Sequence, residues 1–337
     1  MKIDVVLANY NHGDSIIQAI EALNNQTLKP NKIYVIDDAS TDNSWERMLV
    51  ASERYRNIDV SRNRINKGAN YCYNKGLEFC TNELVYFAAS DDVTYPELFE
   101  KSYKKLILNP RAAFVSAETL VYDLENKKSS IRPIIRPKII GHFMTPKDIE
   151  KEFKKNDHWI MTGACVYRTE FVKSIHGLNP KLGAFSDSLM AKQLAFTHGG
   201  IFLKSIGVRW NVSKYGYSRS VYNNNEEWDD LKREIKLFIN RNSDFPDWYW
   251  DKFSDRLDFN HLRLSSLHNE TRAKYSQKSF LRLSRIIQSS LVLINKISRL
   301  VFLLLAFIKY RPYSTARVIH TYITRLVDKT LKIDSSL

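Results

Sequence analysis

The sequence predicts an α/β protein: an α/β/α sandwich around a mostly parallel sheet, with a helical extension at its C-terminal end. Strand and helix patterns alternate through the first 120 residues. Helical segments of about 10–15 residues between strands imply βαβ units and parallel pairing. Each predicted strand ends in a cluster of Asn, Asp or Gly, the composition of a ligand-facing rim. The last stretch changes character, becoming basic and apolar by turns.

"IDVVLA" (residues 3–8) is the first strand, a continuous apolar run of the kind buried on both faces. Residues 15–25 follow as a helix with Ile16, Ile17, Ile20 and Leu23 on one face. "KIYVID" (32–37) is the second strand, and residues 44 to about 55 a second helix. "NIDVSR" (57–62), a helix over 69–80, and "ELVYFAA" (83–89) continue the alternation, and Pro96 begins a further helix. From 120 to 140 the pattern weakens into a basic, loop-like stretch holding Pro133 and Pro137. "WIMTGACVYR" (159–168) reads as a strand leading into the helix "TEFVKSI". Residues 226–240 and 245–267 read as helices. A catalytic domain over 1–220 and a helical region over 221–337 are expected.

Composition is that of a globular chain, 44% hydrophobic and 12% aromatic. The three cysteines, Cys72, Cys80 and Cys165, lack metal-type spacing and read as reduced thiols of a cytoplasmic protein. "MKIDVVLANYN" enters a strand directly, without the apolar core of a signal peptide. Neither the phosphate-loop nor the dinucleotide glycine fingerprint is present. The net charge of +14 is unevenly placed. From residue 260 onward there are 14 Lys or Arg against Glu270, Asp328 and Asp334, or +11, while the first 259 residues are nearly neutral.

The strand-end clusters are "NYNHGD", "DDASTD", "NRINKGANYCYN" and "SDD". At the carboxyl ends of parallel strands they converge on one rim. Within "YVIDDASTDNS" (34–44), Asp42, Asn43 and Ser44 suit a turn and a helix cap. Two adjacent acids, Asp37 and Asp38, are not explained that way. Asp38 can accept from a base imide or a ribose hydroxyl, and Tyr10 offers an aromatic face. Gly68 permits close backbone approach ahead of a helix N-terminus, where a phosphate is favoured. Asp91 and Asp92 supply hard oxygens for a divalent cation, Mn²⁺ or Mg²⁺, that would neutralise a diphosphate.

"VVLANYN", "YVIDDASTDNS", "NKGANYCYNKG" and "VYFAASDDVTYP" resemble successive motifs of the inverting family 2 glycosyltransferases, which have the GT-A fold. The resemblance continues through "TGACVYRTEFVKSIHGLNPKL" and "SDSLMAKQLAFTHGGIF", covering about residues 1–210. It implies that Ala8, Asn9, Tyr10, Asn11 and Asp38 hold the nucleoside, with Asn66 and Gly68 nearby, and that Asp91 and Asp92 are the ribose and metal acids. It implies a nucleotide-sugar donor and a glycan or lipid-linked acceptor in surface-polysaccharide (O-antigen or capsule) synthesis. The chain departs from the family pattern in three places. Ala89 stands where many members begin an acid-x-acid motif, which leaves the metal to Asp92, phosphate oxygens and water. Ser186 replaces a usual Glu. A downstream histidine pair is missing, and "WNVSKYGYSRS" offers Lys214, Tyr215, Tyr217 and Ser218 instead.

Inverting transfer needs a base for the acceptor hydroxyl and stabilisation of the departing diphosphate. Asp187, at the opening of the helix "SLMAKQLAF", fits the base, its carboxylate pointing out of the helix start; on local grounds Ser186 or Asp187 would serve equally as an N-cap. Thr162, Gly163 and Ala164, all small, would pass under the donor sugar. The alternative to an enzyme is a non-catalytic nucleotide-sugar-binding scaffold.

Residues 280–313 are helical in period and apolar over a broad face, yet their longest uncharged apolar run, "LVFLLLAFI", is nine residues, short of the roughly 20 of a membrane span. Arg282, Arg285, Lys296, Arg299, Lys309 and Arg311 punctuate the segment, as in an interfacial helix on an anionic leaflet. A second such pattern follows Pro312. Peripheral attachment at the cytoplasmic face is expected, or else packing within the chain or between two copies in a homodimer. Such apolar faces do not suit nucleic acid.

Overall fold

The computed structural model describes residues 2–213 and 225–265. The chain divides into two compact units, Met1–Gly216 and Tyr217–Leu337. The first opens with β1 (Ile3–Asn9), α1 (Ile16–Asn24), β2 (Lys32–Asp37), α2 (Ser44–Arg54), β3 (Ile58–Arg62), α3 (Ala69–Phe79) and β4 (Leu84–Ala89). These four strands pair in parallel, and all seven residues of β1 are buried. Helices covering both faces of the sheet explain that apolar run. α3 lies so close to β1 that a Cβ on Gly76 would sit 2.2 Å from Val6 Cγ1, so only glycine fits there.

Beyond β4 come β5 (Val93–Thr94), α4 (Leu98–Leu108), β6 (Phe114–Asp123), β7 (Lys128–Arg132), β8 (Phe143–Met144), α5 (Pro146–Phe153), β9 (Cys165–Arg168), α6 (Thr169–Ser174), α7 (Ser186–His198) and β10 (Gly200–Val212). The sheet runs β3-β2-β1-β4-β9-β6-β10-β5, with β7 beside β6 and β8 beside β10. Pairing is parallel between β6 and β10, while β9 is antiparallel to both β4 and β6. The mostly parallel α/β architecture is therefore as expected, with mixed strands in its second half.

Two expectations are corrected. The loop-like stretch from 120 to 140 begins as a hairpin, β6 with β7, in which β7 is an exposed edge. Its Lys128, Ser129 and Ser130 carry no apolar alternation, so periodicity misses it. The strand expected over 159–168 is only β9, because Thr162–Ala164 form a 3₁₀ turn. Just before that turn, Trp159 is fully buried among Phe114, Phe153 and Phe202.

In the second unit, α8 (Asn225–Arg241) and α9 (Tyr249–Ser265) agree with the expected helices. Lys232 and Asp258 pair at 2.5 Å, and the rings of Phe238, Phe245, Tyr249 and Phe253 follow one another with centroids 5.6–5.8 Å apart, edge-on, stacked and tilted in turn. Among the described residues no helix is long and apolar enough to cross a membrane. The basic amphipathic segments, from 280 onward, lie outside the described residues, as do Lys214, Tyr215, Tyr217 and Ser218.

Candidate active site

The ends of β1 and β2 are zipped together. Asp38 N–H donates to the Asn9 carbonyl at 2.8 Å. Asn9 Nδ2 donates to Asp37 Oδ1 and Ser40 Oγ, each at 3.1 Å. Asn11 adopts a left-handed φ of 56°, and its Oδ1 accepts from Thr41 N at 2.8 Å. Ala39 also has a positive φ, 62°, a conformation costing a non-glycine residue roughly 1–2 kcal/mol. Tyr10 is 44% exposed beside them, and Ala8 is buried in the strand. Asp42 does not cap α2, whose N-cap is Asn43 with no side-chain cap bond. Its carboxylate instead accepts from Gly13 N at 2.8 Å and Ser44 N at 3.0 Å, tying the two loops.

The adjacent acids divide their work. Asp37, fully buried, pairs with Arg62 Nε at 3.0 Å and accepts from Ser40 N at 3.1 Å, which makes it a loop anchor. Asp38, 2% exposed, accepts from Asn63 Nδ2 at 2.8 Å, Lys67 N at 2.9 Å and Gly68 N at 2.7 Å. It thereby holds the β3–α3 loop, in which Asn66 Oδ1 also meets Gly68 N, at 3.2 Å. Gly68, with φ 85° and open space where a Cβ would stand, precedes α3.

Past β4, Asp91 and Asp92 are half-buried. Asn211, at the end of β10, clasps both: its N–H donates to Asp92 Oδ1 at 3.0 Å and its Nδ2 to the Asp91 carbonyl at 2.6 Å. Asn211 Oδ1 is enclosed with no hydrogen-bond partner. Burial pushes the Asp92 carboxyl well up, and the Asp91 charge adds to this; the Asn211 N–H and Arg209 oppose it. Among the described residues no cluster of three or more His, Cys, Asp or Glu could hold a metal ion by itself. Two adjacent hard carboxylates would suit a divalent cation as part of its oxygen shell.

Asp187 lies in the first turn of α7, whose N-cap is Phe185. Neither Ser186 nor Asp187 is therefore the cap. Thr162 Oγ1 donates to Asp187 Oδ2 at 2.5 Å and Ser188 N to Oδ1 at 2.6 Å, so the carboxylate turns back onto the 3₁₀ turn. Burial raises its pKa, opposed first by the Thr162 bond, then by Ser188 N–H and Lys192. Gly163 faces open space, since a Cβ there would meet no atom within 4 Å, while Ala164 is buried.

Two tyrosines, Tyr73 and Tyr86, join these parts. Tyr86 OH donates to the Gly163 carbonyl at 2.8 Å and lies 3.2 Å from Thr94 Oγ1, linking the turn to the strand after Asp92. Tyr73 OH donates to the Ala88 carbonyl at 3.1 Å. Burial, then the charges of Asp91, Asp187 and Asp92, push its phenol up. The charges of the acid pair and of Asp187 therefore all act on one side chain of α3. From α3, Asn70 Nδ2 also donates to the Gly183 carbonyl at 2.9 Å, just ahead of α7. The sequence singled out neither Asn211 nor these tyrosines. Tyr73 stands inside the motif "GANYCYN", whereas nothing local marks Asn211.

Over 99 residues, 29% of this chain and 28% of the relative, the sequence is 35% identical to the "Uncharacterized glycosyltransferase YibD" of Escherichia coli (strain K12). Over 70 residues, 20% of this chain and 11% of the relative, it is 34% identical to the "Poly(ribitol-phosphate) beta-glucosyltransferase" of Bacillus spizizenii (strain ATCC 23059 / NRRL B-14472 / W23). The matches thus span under a third of those relatives. Among solved structures, S. aureus TarS 1-349 in complex with UDP superposes with a TM-score of 0.58 at 20% identity, covering 99% of this chain and 92% of that one. The mannosyltransferase PcManGT from Pyrobaculum calidifontis, in complex with GDP-Man and Mn²⁺, gives 0.57 at 15% identity, covering 97% and 88%. At these identities the likeness speaks for the fold, which is GT-A. The pattern described as "Glycosyl transferase family 2" matches residues 4–175, from the first strand through the 3₁₀ turn and β9. With about half its length matched and this fold built upon it, the chain belongs to glycosyl transferase family 2.

Proposed function

We propose that this glycosyltransferase moves a sugar, with inversion, from a nucleoside-diphosphate donor to a glycan or lipid-linked glycan acceptor in surface-polysaccharide synthesis. The observation carrying the reading is that Tyr86 ties the 3₁₀ turn whose Thr162 holds Asp187 to the strand that follows Asp91 and Asp92. An acid pair and a separate carboxylate are what leaving-group and acceptor chemistry need on the two sides of an anomeric carbon. UDP, UDP-GlcNAc and GDP-Man in the neighbouring structures support a nucleotide-sugar donor.

Ala8, Asn9, Tyr10, Asn11 and Asp38 form the nucleoside wall, with Asn66 and Gly68 presenting backbone to the diphosphate. Asp92, together with Asp91, would hold a Mn²⁺ or Mg²⁺ ion, whose charge would neutralise the diphosphate. Thr162, Gly163 and Ala164 border the sugar. Asp187 takes the proton of the acceptor hydroxyl as that oxygen bonds to the anomeric carbon. The bond from this carbon to the diphosphate oxygen breaks on the opposite face. Burial keeps the Asp187 carboxyl above its ordinary range, closer to working pH, where a base is most effective. The basic region from residue 260 onward would hold the enzyme on the cytoplasmic leaflet, near a lipid-linked acceptor.

The test is Asp187→Asn in a transfer assay. Turnover should fall about 10²-fold or more while donor affinity stays within about twofold. Equal losses in both would make Asp187 a donor-binding group and overturn its role as base.

A further inference from the structure

We propose that Thr162 is a positioning residue for the base: its hydroxyl sets the orientation and ionised state of the Asp187 carboxylate. The proposal rests on the reading of Asp187 as base. A carboxylate on a helix start has two free torsions, and a base must hold one oxygen toward its proton. Here both oxygens are engaged from different segments. Ser188 N–H reaches Oδ1 at 2.6 Å from the backbone of α7 itself. Thr162 Oγ1 reaches Oδ2 at 2.5 Å from the 3₁₀ turn. Either contact alone would leave the group free to swing; together they fix its plane.

The turn bearing Thr162 is itself immobilised. Met161 N donates to Ser116 Oγ at 2.9 Å, Ala164 N to the Met161 carbonyl at 2.8 Å, and Tyr86 OH to the Gly163 carbonyl at 2.8 Å. Such outer support separates a precise site from a loose one.

The surroundings make this hydroxyl matter electrically as well. The ionisable groups coupled electrostatically to Asp187 are Tyr73 from α3, Tyr167 and Cys165 from β9, and Lys192 from its own helix. Burial keeps the two phenols and the thiol protonated, with Cys165 pushed up to about 12. Lys192 supplies the opposing charge, but its ammonium is bonded to Ser188 Oγ at 2.6 Å. A hydroxyl donor favours the charged form of the acid it touches. Removing it should raise the midpoint at which the base ionises and lower turnover, while the residues assigned to the nucleotide stay as they are.

The experiment uses the full chain as wild type, Thr162→Val, Thr162→Ser and Asp187→Asn. With ¹³Cγ-aspartate labelling, the resonance absent from Asp187→Asn reports the titration of this carboxyl directly. In Thr162→Val the midpoint should move up and turnover should fall about tenfold, with binding of UDP unchanged; Thr162→Ser should restore both. An unmoved midpoint in Thr162→Val, or a Ser variant no better than Val, overturns the positioning role. Full turnover by Asp187→Asn instead overturns the base reading, and the Thr162 role with it.

Discussion

Asn211 donates its backbone N–H to Asp92 Oδ1 at 3.0 Å, across 119 positions of sequence. With its side-chain amide on the Asp91 carbonyl at 2.6 Å, it sets how the acid pair is presented. Asn211→Ala removes the second contact and keeps the first. It should weaken Mn²⁺ binding in the presence of UDP about tenfold, while Asp92→Asn should abolish it. Electron paramagnetic resonance titration of free Mn²⁺ measures both. Wild-type affinity in Asn211→Ala would make the clasp irrelevant to the cation.

The raised pKa of Asp187 has a consequence for stability. The folded chain keeps this proton to higher pH than the unfolded chain does. The stability tied to it is fully present below the unfolded value and lost as pH rises through the folded one. Near neutral pH the ionised carboxylate is therefore a burden on the fold. Asp187→Asn should melt at the same temperature as wild type or higher at neutral pH, with the gap closing in acid. Thermal scans across pH check this, and a clearly lower melting temperature at neutral pH would contradict it.

Gly163 is exposed, its φ is not in the left-handed region, and an added Cβ meets no protein atom. Gly163→Ala should leave the melting temperature unchanged, so any kinetic loss would report on substrate in that space. The Michaelis constant for the nucleotide sugar should rise about tenfold, with affinity for the bare nucleotide diphosphate intact. Unaltered kinetics would move the sugar elsewhere.

The charge of +11 carried from residue 260 onward, interleaved with apolar residues, should bring the full chain down with anionic vesicles and let it bind neutral ones only poorly. Each Lys or Arg near the leaflet is worth about 1 kcal/mol, screened by salt. Buried apolar faces add a part that salt does not touch. High salt should therefore release only a fraction. Complete release would leave electrostatics alone, and no pelleting together with a dimer in solution would favour the packing alternative.

The sequence by itself determined the order and type of elements from β1 to β4 and the helix α4 beyond them, but not the two-residue β5 between. There, apolar periodicity is local, and the inner strands β1 and β4 are buried on both faces by helices close to them in the chain. It also placed the rim residues, because every parallel strand delivers its carboxyl end to the same edge. It could not separate Asp37 from Asp38, which stand side by side. Successive strand residues face opposite ways, and only the end of β3, with Arg62 on one acid and the next residue, Asn63, on the other, assigns them an ion-paired anchor and a loop clamp. Tertiary structure alone decided that the 3₁₀ turn carries Thr162 to Asp187 and that Tyr86 ties this turn to β5. It alone brought Asn211 to the acid pair. Those contacts join segments 25, 77 and 119 positions apart, and a periodic pattern within one segment contains no information about which distant segment will pack against it.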